Sequence, residues 1–133
     1  MQETMPQEVE VRYILPAIRR ELAKILITEH NHSQKEAAQI LGLTEAAVSQ
    51  YRHFKRAKEV AFTDSVVKEI RVSADRIMMD NNNRQRLIAE MYRLTNLQGV
   101  KQVLCELHRS QSKELANCNI CFDYGLMTLK TGN

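Results

Sequence analysis

The feature that most narrows what this chain can fold into is the stretch from Ser33 to Arg52, SQKEAAQILGLTEAAVSQYR. Ser33 followed three positions on by Glu36 forms a capping box ahead of Ala37, Ala38, Ile40 and Leu41, which marks the start of a helix over Gln34 to Leu41. Gly42 ends that helix and can take the positive φ of a tight turn, and Thr44 can cap the next one. Ala38 is small where two short crossed helices approach most closely, a point at which a larger side chain would force them apart. Leu43, Val48 and Tyr51 then fall on the core side of the second helix and fix its angle against the first.

The opposite face of that second helix is made of Thr44, Glu45, Ala46, Ser49, Gln50, Arg52 and His53, short or polar side chains able to reach base edges in a major groove. Gln50 suits a bidentate pair with adenine, Arg52 a guanine or a phosphate, and the Ala46 methyl a thymine methyl. Ser33 and Gln34, at the start of the first helix of the pair, are placed to donate to a phosphate with help from the helix dipole. Arg52, Lys55, Arg56 and Lys58 extend a cationic strip suited to the nucleic-acid backbone. The expectation is a helix-turn-helix whose second helix reads double-stranded DNA. The competing reading is an αα-hairpin of another helical protein, with the basic run a solvated face.

The rest of the chain also reads as helix. Only four glycines and two prolines interrupt stretches rich in Ala, Leu, Glu, Lys, Arg, Gln and Met, so the fold class expected is all-α. Apolar residues at helical spacing predict a first helix from Ile14 to Glu29 with Pro16 in its first turn, and His30-Asn31-His32 as a polar break. A fourth helix is expected over Asp64 to Met79 and, after Asp80-Asn81-Asn82-Asn83, a fifth over Arg84 to about Leu97. Gly99 is expected to separate the fifth from a short element bearing Val100, Val103, Leu104 and Leu107. The resulting organisation is a helix-turn-helix bundle over 8–60, a helical dimerisation or linker region over 61–104, and a Cys/His tail over 105–133. The middle region carries more apolar side chains than a thin covering layer needs, and half-sites one turn apart require two-fold symmetry, so a homodimer is expected.

The tail holds the second chemical motif. Cys105-Glu-Leu-His108 and Cys118-Asn-Ile-Cys121 are two pairs, each with a two-residue spacer, separated by nine residues. Cys105, His108, Cys118 and Cys121 make a donor set for zinc or for an iron–sulfur cluster, and the sequence does not choose between them. Three thiols in a reducing compartment argue for metal or redox chemistry over a disulfide framework. A dithiol switch using Cys118 and Cys121, or a buried Cys105 beside an unligated turn, are the other readings. His30 and His32 read as surface histidines.

A formal charge of +3 is compatible with a nucleic-acid partner without demanding one. No run of about 18 apolar residues is present, and the start lacks the basic-then-apolar order of a signal peptide, so a cytoplasmic protein with no membrane partner is expected. No phosphate-cradling glycine loop or suggestive carboxylate pair is found, and an enzyme is not expected.

Over about residues 8 to 60 the chain resembles a group of prokaryotic, largely archaeal, transcriptional regulators with a phage-repressor-like helix-turn-helix. The likeness lies in Ile14-Leu-Pro-Ala-Ile-Arg-Arg-Glu-Leu-Ala-Lys, Ser33-Gln and Thr44-Glu-Ala-Ala-Val-Ser-Gln-Tyr. It implies a dimeric DNA-binding regulator with the second helix of the pair as the recognition helix, and a cysteine-containing segment at the end. From another class, the alternative is a helical protein-interaction module with a structural zinc site.

Overall fold

Helix begins earlier than the apolar stripe from Ile14 suggests. In the computed structural model, which describes residues 5–53, 60–80 and 82–123, α1 (Pro6–Val9) leads through a π-helical turn (Glu10–Ile14) into α2 (Leu15–Thr28). The cause is Pro16, which has no N–H to give and whose ring crowds the preceding turn. Just ahead of it the backbone widens, and the Leu15 N–H donates to the Glu10 carbonyl, five residues back. The wider turn places Val9 and Ile14 on one face, and both are fully buried. A reading at strict α-helical period misses that pairing.

α2 is the centre of the molecule. Its buried residues Ala17, Ile18, Leu22, Ala23, Ile25 and Leu26 recur at helical spacing and meet α3 (Gln34–Leu41), α4 (Glu45–Arg52) and α5 (Asp64–Met79). The break between α2 and α3 is the polar triplet expected, with Asn31 at φ +60°, a left-handed conformation that asparagine tolerates better than most residues. Glu29 and His30 tie this corner to α5, through Arg71 Nε at 3.1 Å from Glu29 Oε2 and His30 Nε2 at 3.1 Å from Asp75 Oδ1.

Both predicted caps form. The Ser33 hydroxyl accepts from the Glu36 N–H at 3.1 Å while the Ser33 N–H donates to Glu36 Oε1 at 2.8 Å, and the Thr44 hydroxyl accepts from the Ala47 N–H at 3.0 Å. Substituting Ser33→Ala is expected to cost about 1 kcal/mol, since it leaves the Glu36 N–H without its acceptor. Denaturant unfolding monitored by far-UV circular dichroism checks this, and an unchanged midpoint would show the cap to be energetically idle.

Beyond α5, α6 (Arg84–Thr95) starts on Asn83, whose side-chain oxygen accepts from the N–H groups of Gln85 and Arg86. α7 (Gln98–Arg109) follows a two-residue break at Asn96 and Leu97. Gly99 is therefore not the separator expected from sequence. It lies in the first turn of α7, where a Cβ would sit 2.6 Å from Val66 Cγ2, and its function is to let α7 approach α5. A short 3-10 turn (Lys113–Leu115) and α8 (Ile120–Asp123) end the described chain. Among the described residues there is no strand, so the class is all-α, and no described helix is long and apolar enough to cross a membrane.

The apolar residues of α5 to α7 do not form a separate layer. Val66, Ile70, Ala74, Ile77, Leu94, Val100 and Leu104 join one core cluster with Ile18, Leu22, Ala38 and Val48. What α5 and α6 leave exposed is narrower: Met79, Ile88 and Tyr92.

A polar network crosses the α5–α6 contact. Glu90 is 4% exposed; its Oε1 accepts from the Ser73 hydroxyl at 2.7 Å and from Arg93 Nε at 3.2 Å. Arg93 also donates to Ser73 Oγ, to Glu69 Oε1 and to the Glu69 carbonyl. Arg76 and Arg86 stand 3.6 and 3.7 Å from the same carboxylate. Burial pushes the Glu90 carboxyl up, but the Ser73 hydroxyl and the Arg93 and Arg76 charges outweigh it and hold the group below its ordinary value.

Candidate nucleic-acid interface

The α3–α4 pair is joined by Gly42 at φ +66° and Leu43. The Gly42 N–H donates to the Gln39 carbonyl and the Leu43 N–H to the Ala38 carbonyl, closing the end of α3. Ala37, Ala38 and Leu41 from α3 and Ala47, Val48 and Tyr51 from α4 are buried, and Leu43 is half-buried against the core. Buried residues at the third, fourth and seventh positions of α4 thus pin one side of it, which turns the remaining positions outward.

Those outward positions are the ones the sequence singled out. Thr44, Glu45, Ala46, Arg52 and His53 are exposed, and Ser49 and Gln50 are half-buried, neither sealed inside. The surface is mixed in charge, with Glu45 in the first turn of α4 and Arg52 in its last. At the start of α3, Ser33 is exposed and Gln34 half-buried. The Glu36 carboxylate already lies against this helix end, held below its ordinary pKa by the Ser33 backbone and side-chain hydrogen bonds, so an incoming phosphate there would meet a negative charge. Lys55 and Arg56, and with them Lys58, lie outside the described residues.

No family model, curated protein or solved structure matches the chain. The reading of this surface therefore rests on its residues and their geometry alone.

The thiols come together in part. Cys105, on α7, and Cys121, on α8, are both buried, and Cys118 is half-buried. The Cys105 thiol is pushed up to about 11, first by burial and then by the charge of Cys121 and a hydrogen bond with it. Cys121 and, less strongly, Cys118 therefore lie near enough to Cys105 to disfavour its thiolate. Arg109 fastens the segment to α7 by donating to the Cys118 carbonyl at 2.8 Å and to Asn119 Oδ1 at 2.9 Å. His108 is buried on α7, one turn after Cys105. Among the described residues no set of three or more His, Cys, Asp or Glu side chains is arranged to hold a metal ion.

Two arginines matter here that sequence reasoning passed over. The Arg84 guanidinium, at the start of α6, lies over Gly42 at the α3–α4 turn, and Arg19 lines a cavity reaching the end of α3. Neither carries a local signal, because each acquires its neighbours only when distant helices pack.

Proposed function

We propose that this protein is a sequence-specific transcriptional regulator that binds double-stranded DNA as a homodimer, with α4 entering the major groove. The observation that supports this reading is the division of α4 into a buried side, Ala47, Val48 and Tyr51, and an open side of short polar and charged residues. A helix pinned in this way presents side chains in fixed register, which base-edge recognition requires. The dimer follows from the same chemistry, since one recognition helix makes too few base contacts for operator-level affinity.

Selection of bound duplexes from a random pool, followed by titration at several salt concentrations, tests the reading. Binding that weakens steeply with salt is expected. Gln50→Ala should lose about tenfold on the selected sequence and little on random DNA, as loss of a base contact does. Arg52→Ala should weaken both alike if its contact is with phosphate. No duplex binding at low salt would end the proposal, and light scattering that shows a monomer at micromolar concentration, with and without DNA, would end its dimeric part.

The burial of Cys105 and Cys121, with Cys121 and Cys118 both near enough to act on the Cys105 thiol, supports a second element of the proposal, in which metal or redox state is sensed at these cysteines. Zinc or an iron–sulfur cluster would draw on Cys105, Cys118, Cys121 and His108 after local rearrangement, with the thiols giving up their protons as the metal binds. Anaerobic purification with metal analysis and an absorption spectrum distinguishes the two groups: stoichiometric zinc without visible absorbance, or iron with it. Protein with neither metal, and with no uptake of either on reconstitution, would remove this element.

A further inference from the structure

A gap between α2 and α6 is left unfilled by the core. It measures about 360 Å³, within the size range of small-molecule sites. Leu15, Leu41, Leu87, Ile88 and Met91 supply its apolar wall. The polar groups are few. Glu10 lies at the wall with Lys101 Nζ 3.8 Å from its Oε2, so its charge has a partner. The Thr95 hydroxyl is committed to the Tyr92 carbonyl at 3.1 Å.

Arg19 differs from both. It is half-buried in the wall, yet no described hydrogen bond or ion pair engages its guanidinium, whereas the neighbouring Arg20 holds Glu21 at 2.9 Å. A guanidinium taken partly out of water beside leucine and methionine side chains carries a desolvation cost that a bound anion would offset.

We infer that this gap is a binding site for a small monocarboxylate with an apolar body, its carboxylate on Arg19 and its hydrocarbon against Leu15, Leu87 and Met91. The cavity sets the size of the ligand and the one unmatched charge sets its sign. Leu41, the last residue of α3, forms part of the wall and adjoins Gly42, so an occupant also touches the turn that positions α4. Occupancy of the gap is read directly, whether or not the protein binds DNA.

Isothermal titration of the full chain with octanoate, octanol and octylamine tests it. Octanoate should bind one per chain, octanol at least tenfold more weakly, and octylamine more weakly still. Arg19→Gln should bring octanoate down to the octanol level while leaving octanol unchanged, which separates loss of the charge from loss of the fold. Met91→Trp, filling the gap, should abolish binding of all three. Equal affinity for octanoate and octanol, preference for octylamine, or octanoate binding undiminished by Arg19→Gln would each overturn the inference. So would an octanoate affinity that vanishes as the chain self-associates, which would show that a second copy covers the gap.

Discussion

Replacing Glu90 with alanine is expected to destabilise the protein by about 3 kcal/mol at neutral pH, the low end of what removing one partner of a buried ion pair costs. The low end applies because Arg93 keeps Glu69 when Glu90 is gone, whereas the Ser73 hydroxyl, fully buried, loses its acceptor. For a chain of this length the thermal midpoint should fall by about 10 °C. The effect has a pH signature. Because the folded Glu90 carboxyl is held below its ordinary value of 4.5, the unfolded chain takes up its proton first on acidification. Its contribution is therefore fully present above that value and declines as pH falls through the folded pKa. Guanidinium unfolding at about pH 6 and about pH 3.5 should show wild type losing more stability than Glu90→Gln between the two conditions. Identical pH slopes would mean that the network does not bind the charged form more tightly than the neutral one.

Gly42→Val should have the next largest effect, about 2 kcal/mol. A branched Cβ at φ +66° pushes against the following carbonyl, and the Arg84 guanidinium that now covers Gly42 must swing aside. The second cost is small, since Arg84 is exposed and long; backbone strain dominates. Denaturant midpoints should therefore fall in the order glycine, asparagine, alanine, valine, with asparagine tolerated because its short polar side chain can visit this conformation. A valine variant as stable as wild type would show that the turn readily adopts another conformation. On the proposed DNA-binding role, the same substitution should weaken affinity even for folded molecules, by changing the angle at which α4 leaves α3.

The parts of the fold legible in the sequence are those held by local interactions. Ser33 with Glu36, Thr44 with Ala47 and the positive φ of Gly42 each act within one helical turn, and the structure forms all three. The outward face of α4 was legible for the same reason, because the positions of Val48 and Tyr51 fix it. The onset of helix at Pro6 was not, since the π turn breaks the period on which such a reading depends. Gly99 resembled a breaker because its task, admitting Val66, belongs to a contact made across the core. The cysteine motif was legible as a pair of spacings, but spacing could not show that Cys105 and Cys121 would both be buried. The Arg19 cavity left no trace at all, being what remains after α2, α3 and α6 have met.

α2 packs against α3, α4, α5 and α6, and its Ile18 and Leu22 belong to one core cluster with buried residues of α3 to α7. A molecule joined in this way is expected to melt as one cooperative unit. The thermodynamic result is a shared stability: protonating the Glu90 network on α5 and α6 also weakens what holds α4 in place.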